Sequence, residues 1–90
     1  MERLLVGNTV CLGVSIRQKN VPVDVETATA IVQLPSGERI ESVAAHTGLG
    51  EYLYKYKLRD DGLHTLRIET TNPDTAQEEQ VYALPSVLVP

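Results

Sequence analysis

The chain contains one cysteine, Cys11, and neither tryptophan nor phenylalanine. A single thiol excludes an internal disulfide, so a domain this small must be held by its core or by partners. Four tyrosines are the only aromatic side chains, which leaves the interior to Val, Leu and Ile with tyrosine as its one large member. No apolar run approaches the ~18 residues that suggest a membrane-spanning helix. The opening MERLLVGNTV is too short in apolar residues for a secretory signal and has Glu2 where positive charge belongs. The expectation is a mature chain that begins at or near Met1 and is made in a cytoplasm. Positive charge is also scarce: 8 Lys and Arg against 12 Asp and Glu give a net charge of −4. That balance argues against electrostatic binding to nucleic acid or to an anionic membrane surface.

The 90 residues make one domain, 1–90, with a core over about 7–84 and short apolar ends. A chain of this size buries ~60–68% of the surface its unfolded form exposes, enough for a marginal core. Its period is two rather than 3.6. In TVCLGVSIR, Val10, Leu12, Val14 and Ile16 alternate with Thr9, Cys11, Gly13 and Ser15, the pattern of a strand with one apolar face. QKNVPVD interrupts it. In TATAIVQL, one register turns Ala28, Ala30, Val32 and Leu34 inward and the other turns in Ile31 with polar neighbours. The first is preferred, because it buries four apolar groups instead of one; a one-residue slip would reverse the whole strand. PSGE is a turn, RIESV a short polar strand near an edge, and HTGLG a second turn or bulge. EYLYKYKL, LHTLRIET and EQVYAL read as further strands, the last with Tyr82 and Leu84 on one face. The alanines of ETATAIV allow a helix, but Thr27, Thr29, Ile31 and Val32 are β-branched and favour a strand. Six or seven short strands with regular turns predict an all-β, antiparallel β-sandwich.

Chemistry is hard to find. His46 and His64 lie 18 apart with no Cys or carboxylate at zinc-ligand spacing. His64 reads as a core-edge residue whose ring nitrogen bonds a backbone carbonyl, and His46 as exposed. No local signature joins Cys11 or a serine to a histidine and an acid. Asp60 and Asp61 are adjacent in a turn and diverge, as turn formers do. RDDG and NPDT lack the spaced acids of a calcium loop, and GLG lacks the lysine and helix of a phosphate loop. Lys55, Lys57 and Arg59 alternate with Tyr52, Tyr54 and Tyr56, so the two sets fall on opposite faces and cannot form one nucleic-acid strip. No catalytic, cofactor or metal residue is assigned, and no cofactor is expected.

Asp60-Asp61-Gly62-Leu63-His64-Thr65-Leu66 resembles the turn into the penultimate strand of immunoglobulin-like domains. His64 stands at the tyrosine-corner position and Leu66 where antibody domains place a disulfide cysteine. The resemblance therefore implies a structural corner at Asp60, Gly62 and His64. The order GNTV, VPVD, PSG, TGLGEYLYKYKL, DDGLHTLRIE and EEQVYAL, with Arg67 and Glu69, is similar to the small immunoglobulin-like proteins encoded among tailed-phage and prophage structural genes. It departs from them in His64 for an aromatic and in the missing proline before Gly62. This resemblance implies a non-enzymatic virion component, assembled in the host cytoplasm, that decorates or cements the capsid or sits at the head–tail or tail surface. The alternative is a bacterial cell-surface adhesion or carbohydrate-binding immunoglobulin-like module. The expected partners are proteins, capsid or tail subunits or a second copy, with no nucleic acid and no membrane. The apolar ends are the candidate contacts: Leu4, Leu5 and Val6, and Val87, Leu88 and Val89. Such tails can add a strand to a neighbour's sheet or extend their own.

Overall fold

The structure, a computed structural model, describes residues 2–85. Ten strands run through them, in chain order β1 (Glu2–Leu5), β2 (Thr9–Ser15), β3 (Arg17–Gln18), β4 (Val21–Pro22), β5 (Thr27–Gln33), β6 (Arg39–Val43), β7 (Ala45–Gly48), β8 (Glu51–Lys57), β9 (Gly62–Thr71) and β10 (Thr75–Leu84). Five form one sheet in the order β1-β10-β9-β5-β6, and three form a second in the order β2-β8-β7. The all-β class follows the alternating sequence. The strand number exceeds the six or seven expected, because β1 and β7 are short edge strands, β7 where a turn or bulge was expected, and β3 and β4 are two-residue pieces paired across Lys19 and Asn20. Both turn residues have positive φ, 51° and 65°, as a two-residue hairpin turn of the right twist demands. The sequence showed only a polar break there.

The inner faces of the two sheets meet in a core of aliphatic side chains. Val32, Leu66, Ile68, Val81 and Ala83 of the larger sheet are fully buried. Val32 lies beside Leu66 and Ala30 beside Ile68 in register. From the smaller sheet come Val10, Leu12 and Tyr56, with Leu58 just past β8. Each fully buried Leu, Ile or Val contributes roughly 1.5–3 kcal/mol relative to an exposed one. Ala28, Ala30, Val32 and Leu34 all face inward, so the preferred register of β5 holds. Ile31 is nonetheless buried too. It sits on the outer face between Arg67 and Glu41, where long charged side chains cover it with their methylene stems.

Two further departures concern the last strand. β10 turns Val81 and Ala83 inward, so Tyr82 and Leu84 do share a face, but it is the outer one. And β1 pairs with β10 in parallel, Leu4 beside Ala83 and Leu5 beside Leu84, so the larger sheet is mixed. The N-terminal segment is thus an edge strand of its own domain. Its line continues by hydrogen bonds from Val6 N–H to the Leu84 carbonyl (2.9 Å) and from Gly7 N–H to the Leu58 carbonyl (2.8 Å).

Two glycines fix the geometry where strands change direction. Gly50, at φ +70°, precedes β8, and a Cβ there would lie 2.7 Å from the Ile16 carbonyl oxygen and 2.8 Å from that of Val23. Gly62 opens β9 at φ +114°, with the Pro35 ring 2.8 Å from where a Cβ would stand. Positive φ and close packing both exclude a side chain at these positions.

Candidate functional site

The outer face of the larger sheet changes character along β9. Thr65, Arg67, Glu69 and Thr71 keep the outward beat polar, while Leu63 at the start of the strand breaks it. Register places Tyr82 directly beside Leu63 and Arg3 beside Tyr82, with Leu84 and Leu5 paired in the adjoining row. Leu5, Leu63, Tyr82 and Leu84 expose 45%, 40%, 40% and 38% of their surface. Four large apolar side chains on neighbouring positions form one patch at the end of the sheet where β1 and β10 finish. A contiguous patch, unlike scattered apolar residues, marks an interaction surface. Of the N-terminal residues expected to make contacts, Leu5 belongs to this patch. Leu4 and Val6 are half-buried and pack against the core. Val87, Leu88 and Val89 lie outside the described residues. The patch had a signal in the sequence: a leucine on a polar beat in β9, and Tyr82 and Leu84 on the beat of Glu78 and Gln80.

A polar cluster sits toward the other end of the sandwich. His46 Nε2 donates to Asp24 Oδ1 at 2.9 Å, and the Gly50 N–H donates to the same oxygen at 2.7 Å. The imidazole stacks on Tyr52, centroids 5.0 Å apart, and the Tyr52 hydroxyl accepts the Val25 N–H at 3.0 Å. The Gly50 N–H holds the Asp24 carboxyl below its ordinary pKa; desolvation opposes this less strongly, and the hydrogen bond and charge of His46 add to the lowering. Beside the cluster is an open cleft lined by Thr27, Thr29, Val43 and Ala44 as well as His46 and Tyr52. The His–Asp pair holds the loop between β4 and β5 against the start of β8. His46 is exposed as expected, but it is engaged, and its partner lies 22 residues away in sequence, which no local pattern signals.

The corner residues separate. Asp60 and Asp61 are exposed on the turn between β8 and β9. His64 is fully buried near the start of β9. Its Nδ1 lies 3.0 Å from the Gly62 carbonyl. A carbonyl only accepts, so Nδ1 carries the proton. Among the described residues Nε2 has no partner, nor does the hydroxyl of Tyr56, whose ring lies 6.1 Å away, centroid to centroid. The histidine caps the turn that starts β9 and fills the core.

Other candidates are dispersed. Cys11 is exposed on β2 beside Lys55. Lys55 and Lys57 face outward from a strand whose Tyr52 and Tyr56 are buried. Arg67 bonds Glu69 at 2.7 Å and Glu78 at 3.4 Å, an exposed network over Ile31. Among the described residues, no three His, Cys, Asp or Glu side chains converge as a metal site, and no helix is long and apolar enough to cross a membrane.

Comparisons with protein-family profiles and with curated protein sequences give no match. Among solved structures, the fold is similar to part of a protein from Bacteroides vulgatus described as a candidate glycoside hydrolase, with a TM-score of 0.69 and 11% identity. The similarity covers 97% of this chain and 17% of that one. At that identity it shows the sandwich fold alone.

Proposed function

We propose that this protein is a non-enzymatic immunoglobulin-like module that docks onto another protein through the apolar end of its larger sheet. The observation that carries this reading is the patch of Leu5, Leu63, Tyr82 and Leu84, four large apolar side chains open side by side at one end of the larger sheet. Strand order supports the immunoglobulin-like class: a first strand parallel to the last, then the penultimate strand, opposite a sheet of β2, β8 and β7. The turn motif around Gly62 and His64 supports it as well. The resemblance of the strand motifs to proteins of tailed-phage structural genes points to a virion component. In that role the rigid sandwich holds its apolar end against a capsid, connector or tail subunit.

Mass spectrometry of purified virions is the direct test. The expected result is this chain in stoichiometric, many-copy amounts, and its absence from particles ends the virion reading. Leu63→Lys and Tyr82→Lys variants test the docking face. Each is expected to leave the melting temperature within a few degrees of the parent, because both side chains are on the exposed beat, while weakening incorporation at least tenfold. Incorporation unchanged by both variants removes the patch from the contact.

A second reading has its own support. The similar solved chain is nearly six times longer than the stretch matched, and it is described as a glycoside hydrolase candidate. The same sandwich therefore occurs as one part of a large carbohydrate-related protein, and this chain can serve as an accessory or adhesion module of that kind. Binding to a polysaccharide panel, with no association to virions, distinguishes this reading from the first.

A further inference from the structure

The strand edges of the sandwich are not equally protected. An unpaired edge is a template for another strand, and proteins blunt such edges with charge, proline, bulges or short length. β6 carries Arg39 and Glu41 along its edge. β7 is four residues long and irregular between His46 and Gly48. β1 is four residues long with Glu2 and Arg3. β2 has none of these devices. It runs seven residues, Thr-Val-Cys-Leu-Gly-Val-Ser, with no charge and no proline, and among the described residues it pairs only with β8. Its outward side chains are Thr9, Cys11, Gly13 and Ser15, all small, and Val14 on its inner beat is only half-buried.

We infer that β2 is the self-association edge of this protein, pairing antiparallel with β2 of a second copy. A two-fold interface must be complementary to itself, and this strand meets that condition. Centred on Leu12, the pairing sets Val10 opposite Val14 of the second copy, Cys11 opposite Gly13, and Thr9 opposite Ser15. Inner face stays with inner face, so the aliphatic row of Val10, Leu12 and Val14 runs on into the second core. The flanking β8 strands add charge of the right sign. Lys57 lies beside Thr9 and Glu51 beside Ser15, so each row that ends in Lys57 on one copy ends in Glu51 on the other. Lys55 lies beside Cys11 and Leu53 beside Gly13, so its row ends in Leu53 of the second copy and no row sets like charges at both ends. The result is a continuous sheet in the order β7-β8-β2-β2-β8-β7.

Sedimentation equilibrium of the full chain in reducing buffer tests this. The expected result is a monomer–dimer equilibrium with a Kd of roughly 1–100 µM, the range of a small strand-pairing interface. Cys11→Lys combined with Gly13→Lys sets lysine opposite lysine across the two-fold, which is unfavourable. A side chain at Gly13 meets only ordinary contacts, 3.6 Å to Leu53 Cδ1. The double variant is expected to raise Kd at least tenfold in a chain that stays folded, with a melting temperature a few degrees lower because residue 11 also lies beside Lys55 of its own sheet. Gly13→Cys reads the register by itself: under mild oxidation it is expected to crosslink to the native Cys11 of the second copy. A protein that stays monomeric overturns the inference, as does a dimer that survives both lysines. A Gly13→Cys variant that forms no covalent dimer overturns the register and the edge together. A dimer that appears only after deletion of residues 86–90 assigns the edge to the chain's own tail and likewise overturns the pairing in the intact protein.

Discussion

Replacing Gly50 by alanine is expected to cost more than any other single methyl group added at a glycine with positive φ. The amide of Gly50 bonds the Asp24 carboxylate, its carbonyl accepts the Ile16 N–H at 2.7 Å, and its α-carbon lies against the backbone of Ile16 and Val23. An alanine at φ +70° pays ~1–2 kcal/mol for the left-handed conformation alone. The added Cβ would stand 2.7, 2.8 and 3.0 Å from three backbone atoms, none of which can swing away as a side chain does. Overpacking of this kind costs ~1–3 kcal/mol, and displacing the Ile16 bond removes a further ~0.5–1.5 kcal/mol. The total, ~2.5–6.5 kcal/mol, is a large part of the ~5–15 kcal/mol that holds a domain folded. At ~4–8 °C per kcal/mol for a domain of this size, the melting temperature should fall by at least ~10 °C. The control is Gly7→Ala, which shares the positive φ (+100°) but has nothing within 4 Å of the new methyl. It should cost only the conformational ~1–2 kcal/mol. Urea and thermal unfolding followed by circular dichroism give both numbers. Equal losses for the two variants would refute the steric argument and leave backbone conformation as the sole effect.

The buried tyrosines should part company on loss of a hydroxyl. Tyr52→Phe leaves the Val25 N–H without its acceptor and should cost ~1 kcal/mol, whereas Tyr56→Phe removes an unpaired hydroxyl and should be neutral or stabilising by up to ~1 kcal/mol in the same unfolding assay. His64→Ala empties a fully buried site and strips the Gly62 carbonyl of its donor, for an expected loss of ~2–4 kcal/mol. His64→Phe keeps most of the volume and should recover the larger part of that loss. Acid should act through Asp24. Its carboxyl is held below the ordinary range of an aspartate, so its contribution is complete above that range and disappears as pH falls through the lower folded-state value. Asp24→Asn should flatten stability against pH in that acid window. Glu79 has the opposite sign. Burial, then the neighbouring Glu2, raises its carboxyl above 4.5. Its contribution is complete on the acid side of that value and is lost as pH rises through the higher folded-state value. Glu79→Gln should remove this loss, read as a shallower fall in melting temperature across that interval.

Much of this molecule was legible in its alternation. Val10, Leu12, Ala28, Ala30, Val32, Leu34, Leu66 and Ile68 occupy the inner beat that the sequence predicts, because a strand's side-chain period is a local property of the backbone. The same rule put Lys55 and Lys57 opposite Tyr52 and Tyr56. The Gly62 turn and the bond from His64 to a backbone carbonyl were legible for the same reason: their partners are two residues apart. Where both beats carry apolar residues, local reasoning fails. β10 has Val81 and Ala83 on one side and Tyr82 and Leu84 on the other, and only its packing between β9 and β1 selects the smaller pair for the interior.

Alternation within each strand, and therefore the all-β class and most of the core, is determined by the sequence itself. Tertiary structure decides which strands become neighbours, because pairing depends on contacts between residues far apart in the chain. It joins β1 to β10 at the far end of the sequence, gathers Leu5, Leu63, Tyr82 and Leu84 onto one surface, brings Asp24 to His46, and leaves β2 as the edge without charge. No local period encodes any of these juxtapositions. They arise because two sheets must bury their apolar faces against each other while satisfying the backbone along every shared edge.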